Sequence, residues 1–336
     1  MIKVGFVTKS LTDGNAIRGV GFYAKRLLPM LKTQCSKYNI EIVELDKNNW
    51  DLRFGICDLI HYPFFDLFQH TLRIFRDTKT IVTIHDVIPL EFPDHYPPGF
   101  KGKLNLFLQK LALSSVERVI TDSYASVQAI RKYLLVPHNK IKLVYLAADA
   151  KFRPKEVTKK HNLPKKFVLY VGDVNWNKNI PNLIKACEQI SYPLVIIGKQ
   201  ATEIEKMDLN HPQLQHLKNL DFKNVTRLGF VSDDDLVDIY NLASVYCQPS
   251  LAEGFGLPVL EAMACGTQMA VSNIPSLSEI AGDMAEYFDP KNVSDMSKAL
   301  QKSVDNKFDV VSQANKFTWE KTATKTLLVY SDILQS

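Results

Sequence analysis

Two glutamates, Glu253 and Glu261, stand eight positions apart around Gly254-Phe255-Gly256-Leu257-Pro258. A short apolar run with strand character, Val245-Tyr246-Cys247-Gln248, precedes them, and Pro258 to Ala264 has helix character with proline at a plausible first position. The stretch therefore reads as a strand, a glycine loop and a helix start. In that setting Gly254 and Gly256 let the backbone approach a ligand closely, and the free N–H groups of the first helical turn favour an anion such as phosphate. One carboxylate can accept from both vicinal hydroxyls of a ribose, while the other meets a sugar hydroxyl or a developing positive charge. The alternative is a solvated loop acid beside a helix-terminal acid that complements the dipole.

Other residues could also carry chemistry. His85 closes the run Thr80 to Ile84 at a strand's carboxyl end, where a histidine can be catalytic or a structural hydrogen-bonder. His61 closes another run and is left as structural or acceptor-side. Gly19-Val20-Gly21-Phe22-Tyr23-Ala24 matches the dinucleotide fingerprint literally, with Glu41 and Glu44 about twenty residues on. Against an NAD-dependent oxidoreductase, the fingerprint's first glycine belongs immediately after the strand, whereas ten residues, Lys9 to Arg18, intervene. Ser232-Asp233-Asp234-Asp235-Leu236 could suggest a metal, but Ser232 with Asp235 three residues later, ahead of Leu236 and Ile239, is a helix cap. No metal and no cofactor are expected.

The stretch Glu253 to Thr267, with Ser276 to Gly282 and Asp289-Pro290, resembles the retaining glycosyltransferases of family 4, whose fold is GT-B. The resemblance implies that the Gly254, Phe255, Gly256 and Leu257 backbone holds a donor diphosphate, that Glu261 takes the ribose, and that Glu253 lies against the transferred sugar. It extends to Val171 to Ile180, where Lys178 matches the lysine that neutralises the diphosphate. Asn177 stands where the family usually has an arginine, leaving one cation where two are expected, and is counted with the donor-binding residues. Gly19 and Gly21 resemble the glycine loop over the diphosphate and acceptor, and His85 the histidine that contacts the donor sugar or its phosphate. Asp86 is expected to orient the turn. Gly229 and Phe230 fall where the base is met by backbone groups. The implied reaction is metal-independent hexosyl transfer, of mannose or glucose type, from a UDP- or GDP-linked donor to a hydroxyl of a glycan or lipid-linked acceptor. A non-catalytic nucleotide-sugar-binding subunit is the further alternative.

These residues need a scaffold of alternating strands and helices. Ile2 to Thr8, Ile40 to Leu45, Leu59 to Tyr62, Thr80 to His85, Arg118 to Asp122 and Ile141 to Tyr145 are β-rich runs separated by helix-length segments. A second series follows at Phe167 to Val171, Pro193 to Ile197, Val225 to Leu228, Val245 to Gln248 and Met269 to Ser272. The expectation is an α/β fold of two Rossmann-like, doubly wound parallel-sheet domains facing a cleft. Residues 1–155 would form the acceptor domain and 156–316 the donor domain, with an amphipathic helix in 317–336 crossing back to the first. Phe100 to Leu113 mixes Lys101, Lys103 and Lys110 with leucines and Phe107. Its apolar side is expected to pack on the sheet, as a crossover helix must, the alternative being a place on a membrane surface.

Composition agrees with an ordinary globular chain: 336 residues, 46% hydrophobic and 23% charged, are enough for two domains with sizeable cores. Apolar runs such as Leu194 to Ile197 are too short to span a bilayer, and Met1 to Val7 reads as a strand rather than a signal peptide, so a cytoplasmic location is expected. Five widely spaced cysteines without a Cys-x-x-Cys support neither a disulfide frame nor a zinc site. No nucleic-acid partner is expected. Residues 1–155 hold 23 Lys and Arg against 14 Asp and Glu, a balance of +9; the chain's net +5 leaves the remainder at −4. That basic half could associate peripherally with an anionic membrane, and Lys101, Lys103, Lys110, Arg131 and Lys132 are the expected contacts.

Overall fold

The computed structural model describes residues 1–11, 19–46, 54–159 and 161–335. They form two units, one of Met1–Pro93, Pro97–Ala147 and Phe317–Ser336, the other of Asp94–Tyr96 and Ala148–Lys316.

Each unit is built on a six-stranded, all-parallel sheet. In the first, β1 (Ile2–Val7), β2 (Ile40–Leu45), β3 (Leu59–Tyr62), β4 (Lys79–Thr83), β5 (Arg118–Thr121) and β6 (Ile141–Leu143) run in the order β2-β1-β3-β4-β5-β6. In the second, β7 (Val168–Val171), β8 (Leu194–Ile197), β9 (Val225–Leu228), β10 (Val245–Gln248), β11 (Met269–Ser272) and β12 (Glu286–Phe288) run in the order β12-β11-β10-β7-β8-β9. Strands such as β3, β8, β10 and β11 are buried along their whole length, the signature of a sheet covered on both faces. The order reverses between β1 and β3 in one sheet and between β7 and β10 in the other. At such switch points flanking connections leave in opposite directions and open a crevice outside the strands' carboxyl ends.

The Trp319–Gln335 helix belongs to the first unit. It lies along the Gly19–Gln34 helix, where Thr324 Oγ1 donates to Gln34 Oε1 at 2.8 Å, and buries Ala323, Leu327 and Tyr330. Lys79 Nζ donates to Ile333 O at 2.8 Å. Inside, a polar chain crosses the core: Tyr330 OH is 2.6 Å from His61 Nδ1, His61 Nε2 is 2.8 Å from Thr83 Oγ1, and Thr83 Oγ1 is 3.2 Å from Tyr23 OH. His61 is thus structural, and burial, with the nearby His85 charge, pushes its pKa down to about 3.

The Gly99–Ser114 helix departs from expectation. Its buried residues are Gly102, Gln109, Ala112 and Leu113, while Phe100, Leu104, Phe107 and Leu111 face outward. The inward face combines apolar packing with a polar anchor: Ala112 and Leu113 join the core of the unit with Leu106 packed against it, while Gln109 Oε1 accepts from Thr71 N at 3.0 Å and Leu72 N at 2.8 Å and its Nε2 donates to Leu72 O.

Removing the Tyr330 hydroxyl would leave His61 Nδ1 buried without a partner. Tyr330→Phe is therefore expected to cost about 1–3 kcal/mol of stability, read as a lower denaturant midpoint with an unchanged slope.

Candidate functional site

In the second unit the strand–loop–helix stretch forms as the spacing requires. The chain leaves β10 at Gln248, turns through residues 249–256 and enters the Leu257–Ala264 helix, with Pro258 in the first turn. Gly256 has φ +110°, and a Cβ there would meet Leu277 Cδ2 at 2.7 Å, so only glycine fits. Phe255 is buried and anchors the loop.

Glu253 and Lys178, placed in separate segments by sequence, form an ion pair: Lys178 Nζ lies 2.7 Å from Oε1 and 2.9 Å from Oε2. Lys178 follows β7 and Glu253 follows β10, so the pair sits at the switch point of this sheet. The Glu253 side chain is only 9% exposed, and its Oε1 also accepts from Gln248 Nε2 at 2.8 Å and Ser250 Oγ at 2.6 Å. Beneath them Tyr246 OH donates to the Gln248 amide oxygen. Burial, reinforced by neighbouring charges that include Glu253, holds the Tyr170 and Tyr246 phenols well above their ordinary range. They remain neutral donors, Tyr170 OH to Asp173 O at 2.6 Å and Tyr246 OH to Gln248 Oε1.

Asn177 is buried. Its Oδ1 accepts from Tyr96 OH at 2.6 Å, its Nδ2 donates to Ala252 O at 2.9 Å, and its backbone carbonyl accepts from Leu251 N at 2.7 Å. These bonds use both ends of the Asn177 amide and brace the loop that carries Glu253. Tyr96 reaches it from the Asp94–Tyr96 segment, where His95 stacks on Trp176 with centroids 3.6 Å apart.

Glu261 lies one turn inside the helix and accepts from Tyr240 OH at 3.0 Å. Burial pushes its carboxyl up to about 7 despite the Tyr240 hydrogen bond and the Lys151 charge. Gly229 follows β9, and Phe230 is largely exposed beside it. Ser232 does cap the Asp233–Leu242 helix, accepting from Asp235 N at 3.1 Å. Asp235, Asp238 and His161 could each offer one ligand atom within 4.8 Å of the others, but Lys159 already pairs with Asp235 and Lys155 with Asp238.

In the first unit His85 lies two residues beyond β4. Its Nδ1 bonds to Asp122 Oδ2 and its Nε2 is 3.3 Å from Pro63 O, while Tyr23 packs edge-on with centroids 4.8 Å apart. Burial opposes its charge, but the Asp122 carboxylate prevails and holds the imidazole above its ordinary range. Asp86 orients the turn, its Oδ1 accepting from Ile88 N at 3.0 Å. Gly19 and Gly21 open the Gly19–Gln34 helix; a side chain at Gly19 would meet open space, while Gly21 is buried. At the switch point of this sheet a pocket forms beside Val7 of β1 and Tyr62 of β3, with Lys9, His70 and Arg73 in its wall. Tyr96, Asp122, Gln248 and Ser250 were not singled out from sequence. Asp122 could have been, as the acid ending the run that pairs with the strand before His85.

Residues 152–321 match the family model described as glycosyl transferases group 1, and residues 48–152 match glycosyltransferase family 4. The chain belongs to the group 1, family 4 glycosyltransferases. It is 30% identical over 283 residues to the serotype-specific mannosyltransferase WbdA of Escherichia coli, covering 77% of this chain and 34% of that protein. It thus spans about a third of the length of that relative. The O-antigen chain mannosyltransferase B of Escherichia coli is 29% identical over 303 residues, covering 84% of this chain and 76% of that one. The structure of Anabaena Alr3699/HepE in complex with UDP and glucose superposes with a TM-score of 0.69 at 16% identity, over 98% of this chain and 100% of that one. The fold is GT-B, and membership of this family counts against reading the Gly19 to Ala24 run as a dehydrogenase fingerprint.

A carboxyl raised from 4.5 to about 7 in the fold binds its proton more tightly there than in the unfolded chain. The folded state is therefore favoured below the unfolded value, and that advantage is lost as pH rises through 7. Glu261→Gln should match the parent in stability near pH 5 and exceed it by about 1–3 kcal/mol above pH 8, as judged by denaturant titrations at both pH values.

Proposed function

We propose that this glycosyltransferase is a retaining, metal-independent hexosyltransferase that moves mannose, or a similar hexose, from a UDP- or GDP-linked donor to a hydroxyl of a glycan or lipid-linked acceptor in polysaccharide synthesis. The observation that carries the proposal is the Lys178–Glu253 pair at the sheet's switch point beside the Gly254–Leu257 loop. Mannose is favoured because the two relatives are named mannosyltransferases. A uridine donor is kept open by the UDP bound to the structural neighbour.

In this reading the backbone from Gly254 to Leu257 holds the diphosphate, Glu261 accepts from the ribose hydroxyls, and Gly229 and Phe230 lie at the base. Lys178 meets the charge that gathers on the diphosphate as the anomeric C–O bond breaks. Its ammonium, held beforehand by Glu253, needs only to turn from one anion to another. Glu253 faces the sugar and stabilises its oxocarbenium character. The acceptor oxygen attacks from the face that the leaving group vacates, and its proton passes to the departing phosphate oxygen. His85, whose charged form Asp122 favours, serves the donor sugar or its phosphate in this reading, and Gly19 and Gly21 leave room for diphosphate and acceptor. The basic pocket with Lys9, His70 and Arg73 suits a phosphate-bearing acceptor.

A thermal-shift screen against UDP-, GDP- and dTDP-sugars, followed by assay of nucleotide release, tests the reading. A raised melting temperature with one donor and turnover of it are expected; failure of every donor to bind would overturn it. Glu261→Ala should weaken free nucleotide and donor alike, since the ribose is common to both, whereas Glu253→Ala should mainly lower kcat. Lys178→Ala should cost on the order of 10²-fold in kcat/KM. Activity should survive EDTA; strict dependence on added Mg²⁺ or Mn²⁺ would sink the metal-free mechanism. Tyr96→Phe should lower kcat with little change in nucleotide affinity if the Asn177 brace positions Glu253; equal loss of both would point to general loosening.

A further inference from the structure

The Gly99–Ser114 helix presents four large apolar side chains to solvent: Phe100 is 88% exposed, Leu104 52%, Phe107 59% and Leu111 46%. At about 100° per residue, spacings of four, three and four place them within roughly 60° of arc, as one stripe about 16 Å long. The inward face opposite is already engaged, through Gly102, Gln109, Ala112 and Leu113. Phe75, 91% exposed, comes close to the helix's carboxyl end, because the adjacent Arg76 donates to Ala112 O at 2.7 Å and Ser115 Oγ at 2.6 Å. Two aromatic and two aliphatic residues aligned in water are unfavourable unless something covers them.

The charge around the stripe says what that is. The helix has no acidic residue, and its three lysines border the stripe, Lys101 on one side and Lys103 and Lys110 on the other. Long lysine side chains can keep their ammonium groups at headgroup level while the ring between them enters the acyl boundary. We propose that this helix is a membrane-docking element that lies in the plane of an anionic lipid surface, with Phe100, Leu104, Phe107 and Leu111 inserted and the three lysines on the phosphates. No helix among the described residues is long and apolar enough to cross a membrane, so attachment through this helix would be peripheral.

Docking would also position the acceptor pocket. Gln109 on the inward face holds Thr71 and Leu72 by three hydrogen bonds, and Thr71 lies with His70 and Arg73 in the pocket wall. A rigid connection thus joins the lipid-facing helix to the basic pocket. This last step rests on the proposed acceptor chemistry, whereas the docking itself does not.

Co-sedimentation with vesicles, in the absence of any nucleotide sugar, tests the docking separately from catalysis. The wild-type chain should bind phosphatidylglycerol-containing vesicles at low salt, bind pure phosphatidylcholine vesicles far less, and release as the Debye length shrinks from about 30 Å to about 3 Å. Phe100→Ser with Phe107→Ser, and separately Lys101→Glu with Lys103→Glu and Lys110→Glu, should each reduce binding at least tenfold with unchanged melting temperature. Should the phenylalanine pair fail to fold, Leu104→Gln with Leu111→Gln decides in its place. No binding at low salt, or binding indifferent to the apolar changes, would overturn the proposal. So would a wild-type dimer that those changes convert to monomer, since the stripe would then cover a second copy. Loss of donor turnover with vesicle binding intact would instead count against the reaction proposed above.

Discussion

The second unit is arranged around the cost of keeping a carboxylate out of water. Glu253 is nine-tenths buried at the end of a parallel sheet, where an uncompensated charge would be worth several kcal/mol of instability. The compensation is local and complete on one oxygen, which accepts from Lys178, Gln248 and Ser250, and lighter on the other, which meets Lys178 alone. Those donors can converge only because β7 and β10, distant in sequence, are neighbours in the sheet. The switch in strand order is thus what makes the charge tolerable, and the same switch opens the crevice in which that charge can act. Asn177 extends the arrangement by fixing Leu251 and Ala252, so the loop reaches Glu253 with little freedom left.

The first unit meets a related constraint in the opposite way. His61 is wholly buried, and the fold keeps it neutral while satisfying both ring nitrogens with hydroxyls from Tyr330 and Thr83. His85, two residues beyond its strand, keeps some exposure and gains an acid partner in Asp122, which favours its charged form. Two histidines at the ends of neighbouring strands are therefore shifted in opposite directions, burial favouring the neutral ring of His61 and the Asp122 carboxylate favouring the charged form of His85. Tyr23 links them, bonding to Thr83 and packing edge-on against the His85 ring. The terminal helix supplies Tyr330 and so contributes to the interior of a unit whose strands were laid down almost two hundred residues earlier in the chain.

Much of the architecture was legible in the sequence, because each of the eleven β-rich runs read from it overlaps a strand. The twelfth strand, Glu286–Phe288, escaped because it is three residues long and partly exposed, with too little apolar periodicity to announce itself. In the site, Glu253, Glu261, Gly256 and Lys178 were readable from residue type and spacing or from resemblance, since local backbone requirements leave a local trace. Their partners were not. That Lys178 would hold Glu253, or that Asn177 would meet Tyr96, depends on contacts between segments about 75 to 80 residues apart, for which a single sequence carries no pattern.

The Gly99–Ser114 helix shows where periodicity fails in a more instructive way. Its apolar residues recur at helical spacing, and that pattern is equally good for a side turned to a sheet and a side turned to lipid. The deciding residue is polar. Gln109, wholly buried, spends its amide on the backbone of Thr71 and Leu72, and one such anchor commits the face it sits on to the protein interior. Phe100, Leu104, Phe107 and Leu111 then have nowhere to go but outward, whatever their hydrophobicity. The three hydrogen bonds of Gln109 and the packing of Ala112 and Leu113 together fix which face turns inward, and the four large side chains on the opposite face are left for an apolar surface outside this unit to meet.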